Sequence, residues 1–84
     1  MGISETEKLI AALRVFDLKT LMEINLDVVK AELSDLDKAE SLKLAHEIFD
    51  LICDIISAVS VLQMVGIWKR FLEIVGLVRV IFRR

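Results

Sequence analysis

From Leu44 to Phe82 the chain is almost continuously apolar, and single polar residues interrupt it at a telling spacing. Asp54, Ser57, Ser60, Gln63 and Gly66 follow one another three residues apart. At about 100° per residue in an α-helix, each such step turns the polar line by about 300°, so it winds round the helix instead of marking one solvent face. Two arrangements account for this. Either one long helix is surrounded by neighbours, or the helix breaks between Ser60 and Gly66 and its halves bury different faces. Gly66 is the expected hinge, because glycine inside a helix costs up to about 1 kcal/mol relative to alanine. The last stretch is more regular: Ile67, Phe71, Ile74, Val75, Val78, Ile81 and Phe82 share one helical face, opposite Lys69, Arg70, Glu73, Gly76, Arg79 and Arg83. Val78, Val80, Ile81 and Phe82 are also good strand formers, but no second strand is in evidence to pair them, which leaves helix.

The first half reads as short amphipathic helices. Ser4 and Glu7 have the spacing of a capping box, which predicts a helix start at Glu5. Leu9, Ile10, Leu13 and Phe16 give that helix an apolar face. A second stretch carries Leu18, Leu21, Met22, Leu26, Val29 and Leu33. No glycine or proline marks a joint between the two: Asp17 either stops the first helix or sits on its solvent side, and Asn25 and Asp27 suit a restart near Val28. Ser34-Asp35-Leu36-Asp37 is the clearest turn signal, and a third helix is expected from about Asp35 through Leu44, Ile48, Leu51, Ile52 and Ile55. The expectation is therefore one all-α domain over residues 1–84 with three to four helices. Residues 1–33 form acidic amphipathic helices, and 35–84 a long apolar region with a basic end and a hinge at 60–66. The whole is a helical hairpin or bundle completed by oligomerisation.

Composition strengthens that last point. Of 84 residues 56% are apolar and mean hydropathy is +0.63, against the roughly 45–50% apolar content of ordinary soluble domains. A chain this short buries only about 60–65% of its unfolded surface, so partners are expected to cover part of the apolar run. With no proline, three glycines and abundant Leu, Ala, Glu and Lys, strand-rich folds are disfavoured. Cys53 has no second cysteine to pair with and sits among Leu51, Ile52, Ile55 and Ile56, which suggests a buried structural thiol.

The net charge of −2 conceals an asymmetry. Residues 1–50 hold eleven acids against six bases, while 51–84 hold two acids against five bases. Lys69, Arg70, Arg79, Arg83 and Arg84 fall on one broad arc of the final helix and are the candidates for phosphate contact with nucleic acid or lipid. Leu51, Ile55, Val61, Leu62, Val65, Trp68, Phe71, Ile74, Val78 and Phe82 are the candidate oligomer interface. His46, Asp50 and Asp54, at i, i+4 and i+8, weigh as an ordinary helix surface rather than a metal site, since no E-x-x-H pattern accompanies them. No phosphate loop, catalytic triad or cofactor motif is present, so no enzyme, cofactor or small-molecule substrate is expected.

No secretory pattern opens the chain, and Met1-Gly2-Ile3-Ser4-Glu5-Thr6 fits only the loose acylation pattern. The longest uncharged run, Ile55 to Trp68, is fourteen residues, short of the roughly 20 a spanning helix needs. Trp68 beside Lys69 and Arg70 suits a membrane surface better than a crossing. The order of acidic front, apolar middle and basic end is similar in layout to the major coat proteins of filamentous phages. That layout implies a self-assembling virion or filament subunit whose basic end meets nucleic acid. A membrane-associated helical protein and a soluble dimer or tetramer acting as adaptor or regulator are the alternatives.

Overall fold

A computed structural model describes residues 2–60 and 65–84, and the described residues form five helices and no strand: α1 (Ser4–Val15), α2 (Leu18–Glu23), α3 (Leu26–Asp35), α4 (Lys38–Ala58) and α5 (Trp68–Phe82). The all-α expectation holds, with more and shorter helices than the three to four expected. Each extra joint has a local cause. At the end of α1, Phe16 enters the left-handed region at φ 52°, ψ 50°. Its N–H bonds Leu13 O, and the Asp17 N–H bonds Ala12 O at 2.9 Å, a Schellman-type stop. A side chain in that region costs about 1–2 kcal/mol. The Phe16 ring recovers part of this against Phe71, with ring centroids 6.5 Å apart. Asp17 then caps α2 through the Thr20 N–H, and Asn25 caps α3 through the N–H groups of Asp27 and Val28.

The boundary at Ser34–Asp37 falls where the turn signal lies, but its parts differ from expectation. α3 runs on to Asp35, and Asp37 rather than an earlier residue caps α4 through the Glu40 N–H at 2.8 Å. Among the described residues, the stretch after α3 carries two helices. α4 ends at Ala58, with Val59 already extended, and α5 begins at Trp68 after a turn over 65–67. Part of the expected 60–66 hinge, residues 61–64, lies outside the described residues. Gly66 has no steric role: a Cβ there would meet no atom within 4 Å. The β-branched Val59 and the neighbouring Ser60 have weaker helix propensity than Ala58, the last residue of α4.

Four helices close a ring around the core. α1 packs on α4, α4 on α5, α5 on α3 and α3 on α1, while the short α2 packs on α1. Ile48, Ile52, Phe71, Ile74, Val78 and Ile81 meet Leu9, Leu13, Val29 and Leu33 inside it, all essentially excluded from solvent. α4 and α5, the two described parts of the apolar run, each bury their own face, and only Asp54 and Ser57 of its winding polar line lie in either helix. The Cα radius of gyration is 12.3 Å, as expected for a compact chain of this length at about 12 Å. The accessible surface is 5222 Å², against about 5,000 Å² for a compact monomer of this mass.

Candidate functional site

The candidate basic arc divides in two. Arg70, on the first turn of α5, turns inward and its side chain is only 13% exposed. Its Nε donates to Leu21 O at 2.8 Å and its Nη2 to Ile24 O, the carbonyls that end α2. Nη1 lies 3.5 Å from Glu73 Oε1. Arg84 also faces the protein, donating from Nη1 to Leu33 O at 3.0 Å near the end of α3 and to Ser41 Oγ at 3.2 Å. The last carbonyls of a helix lack intrahelical partners and carry the negative end of its dipole, so a guanidinium satisfies both needs. Lys69, Arg79 and Arg83 are exposed and make no ion pair among the described residues.

An acid does the converse at the other end of a helix. Glu32 of α3 is buried and accepts from the Thr6 N–H and hydroxyl, both at 2.8 Å, and from the Glu5 N–H at 3.2 Å. It supplies the cap that the Ser4/Glu7 pattern led one to expect locally. α1 starts at Ser4, behind Ile3, with no local side-chain cap, because a tertiary carboxylate offers two charged acceptors to the same N–H groups. Burial pushes the Glu32 carboxyl up, but the three hydrogen bonds outweigh it and hold the pKa below the ordinary glutamate value. In return, Glu5 accepts from the Asn25 N–H at 2.9 Å, at the start of α3. Asp17 is likewise held below its ordinary value, first by the Thr20 hydroxyl and then by the Thr20 N–H.

The candidate interface residues also divide. Ile55, Phe71, Ile74 and Val78 belong to the chain's own core, Leu51 and Phe82 are half-buried, and Val61 and Leu62 lie outside the described residues. Val65 (72%) and Trp68 (47%) are exposed. On the same two helices Phe49, Ile56 and Leu72 are also exposed, at 39%, 44% and 55%. Leu72 is i+4 from Trp68, so helical spacing could have found it. The His46 and Phe82 rings, 4.7 Å apart, join the early part of α4 to the end of α5, so the two helices run antiparallel. Counting back along both helices from that contact at equal rise brings Ile56 level with Leu72 and Ser60 level with Trp68.

Cys53 is exposed, contrary to the buried thiol expected. Ile48, Ile52 and Ile55 take the core face of α4, and Cys53 lies a further 100° round from Ile52. Among the described residues no group of His, Cys, Asp and Glu is placed to hold a metal ion, and no helix is long and apolar enough to cross a membrane. A shallow depression between α1 and α2, lined by Lys8, Ala12, Val15, Asp17 and Thr20, brings together no set of catalytic groups. No protein-family model, curated protein or solved structure matches the chain.

Proposed function

We propose that this chain is a non-enzymatic helical subunit that associates with copies of itself through the outer face of α4 and α5. The observation that carries the reading is the exposed apolar strip of Phe49, Ile56, Trp68 and Leu72 on two adjacent helices. Large contiguous apolar surface on a small protein marks a contact site, and Trp is among the residues that dominate such contacts. The coat or filament form of this reading adds nucleic acid. For it, Lys69, Arg79 and Arg83 are the candidate phosphate ligands, since Arg70 and Arg84 serve helix ends. Three cations support only weak, strongly salt-dependent binding.

A second reading rests on the same face. Trp68 and Leu72 beside Lys69, Arg79 and Arg83 have the composition of a surface that lies on an anionic membrane. Absolute mass by light scattering after size exclusion, without detergent and over a range of concentrations, separates the two. Self-association predicts a mass that rises above the monomer with concentration. A monomer at every concentration that sediments with anionic vesicles would establish the second reading and remove the first.

A further inference from the structure

We propose that two copies of this chain dock through the outer faces of their α4–α5 hairpins, related by a two-fold axis running along the helices, so that α4 of each copy lies across α5 of the other. This rests on the self-association reading above and adds the partner's orientation. The argument is one of charge. Helical periodicity turns Asp50 and Asp54 away from the core face of α4, and both are exposed with no ion pair among the described residues. On α5 the same periodicity turns Lys69, Arg79 and Arg83 outward. The middle of α4 thus presents Asp50 and Asp54 beside the mainly basic outer side of α5, with the apolar strip between them; Lys43 on α4 and Glu73 on α5 are exposed as well.

Two identical hairpins stack face to face about a two-fold axis in two ways. An axis across the helices lays α4 on α4 and α5 on α5, setting acid against acid and base against base. An axis along them lays α4 on α5 in both halves and, by the level count from the His46–Phe82 contact, brings Asp50 of each copy within about one residue of the level of Arg79 of the other, while like-charge juxtaposition disfavours the first arrangement. The same pattern argues against other occupants. An anionic lipid surface or a nucleic acid lying on this face would meet Asp50 and Asp54 as well as the bases. The face is about 22 Å long on the α5 side, at 1.5 Å per residue, and two helices wide, or about 20 Å. Pairing two such faces buries on the order of 1,000 Å², at the weak end of specific interfaces. A reversible dimer follows, rather than an obligate one.

The test is sedimentation equilibrium of the full chain with two charge-reversed variants, Asp50→Lys/Asp54→Lys and Arg79→Glu/Arg83→Glu. All four positions are exposed, and the far-ultraviolet circular dichroism of each variant checks that it folds. Each variant alone should raise the dimer Kd by at least about tenfold, and an equimolar mixture should restore dimers, because the reversed charges then complement each other. If the unaltered chain dimerises and the Asp50/Asp54 variant dimerises equally well, this orientation is overturned while self-association stands. If the unaltered chain stays monomeric at every concentration, both fail. Growth beyond a dimer overturns the closed pairing. Added salt gives a check that needs no variant: opposite charges across the interface predict a Kd that rises with ionic strength, and a Kd that falls would overturn the pairing.

Discussion

The two halves of the molecule are held together by different means. α4 and α5, 21 and 15 residues long, present rows of Ile, Val and Phe to the core and hold their positions by apolar packing. α1, α2 and α3, at 12, 6 and 10 residues, are at or below the roughly 12–15 residues at which isolated helices become even marginally stable. Their ends are completed by charged side chains from far along the chain: Glu32 at the start of α1, Arg70 at the end of α2, Arg84 near the end of α3. In each case the sign opposes the helix dipole. A small protein that cannot lengthen its helices can still stabilise them by closing their ends.

Breaking the packed half should cost most. Phe71→Ala empties a fully buried site and removes the ring on which Phe16 rests. A loss of about 3–5 kcal/mol is expected, a large share of the 5–15 kcal/mol typical of a folded domain. Urea denaturation measures it. A loss below about 1 kcal/mol would mean that the core does not centre on Phe71.

The clasped half should show a smaller and more local effect. Arg70→Met keeps most of the apolar stem but leaves the Leu21 and Ile24 carbonyls without their donor. The cost should be about 2–3 kcal/mol, concentrated in α2, where amide hydrogen exchange should accelerate more than in α4. Arg70→Lys should recover only part of it, because a point charge cannot reproduce the two-pronged contact. Uniform acceleration across all helices would contradict the division into two halves.

Glu32 tests the other sign of the dipole through pH. Its carboxyl titrates below the ordinary glutamate value in the folded chain. In the range between the two values the unfolded state binds more protons. The stability Glu32 contributes is therefore complete above the ordinary value and is lost as pH falls through the lowered one. Glu32→Gln should cost about 1–2 kcal/mol at neutral pH and flatten the acid limb of the stability curve. If the variant destabilises the fold equally at neutral and acid pH, the carboxylate is not the cap.

The contrast also decides what was legible in the sequence. Which residues share an apolar face, such as Phe71, Ile74, Val78 and Ile81, or Ile48, Ile52 and Ile55, follows from spacing, because burial repeats with the helix; spacing did not say that Ile55, Phe71, Ile74 and Val78, expected at an oligomer interface, are buried in the chain's own core. The joints at Asp17 and Asn25 were visible as options, since short-range capping is written in neighbouring residues. Glu32, Arg70 and Arg84 carried no such signal. Their partners lie 26 to 51 residues away, and no local pattern says which charged residue of a polar stripe will leave solvent. The candidate site was half legible for the same reason. Trp68, Lys69, Arg79 and Arg83 stand on the outer face, while Arg70 and Arg84 left the arc for helix ends that the sequence alone did not define.

The smallest expected effect probes whether α5 is limited by its packing or by its backbone. Gly76 lies in the exposed middle of the helix, its φ is not positive, and an added Cβ would meet nothing within 4 Å. Glycine there contributes no contact and keeps a freedom in the unfolded chain that folding must remove. Gly76→Ala should therefore stabilise the monomer by about 0.5–1 kcal/mol, read as a raised urea midpoint with an unchanged slope. The gain requires α5 to be intact through its middle in the native state. A helix already frayed at Gly76 would gain almost nothing, and α5 would then join α1, α2 and α3 as a helix that needs closing from outside.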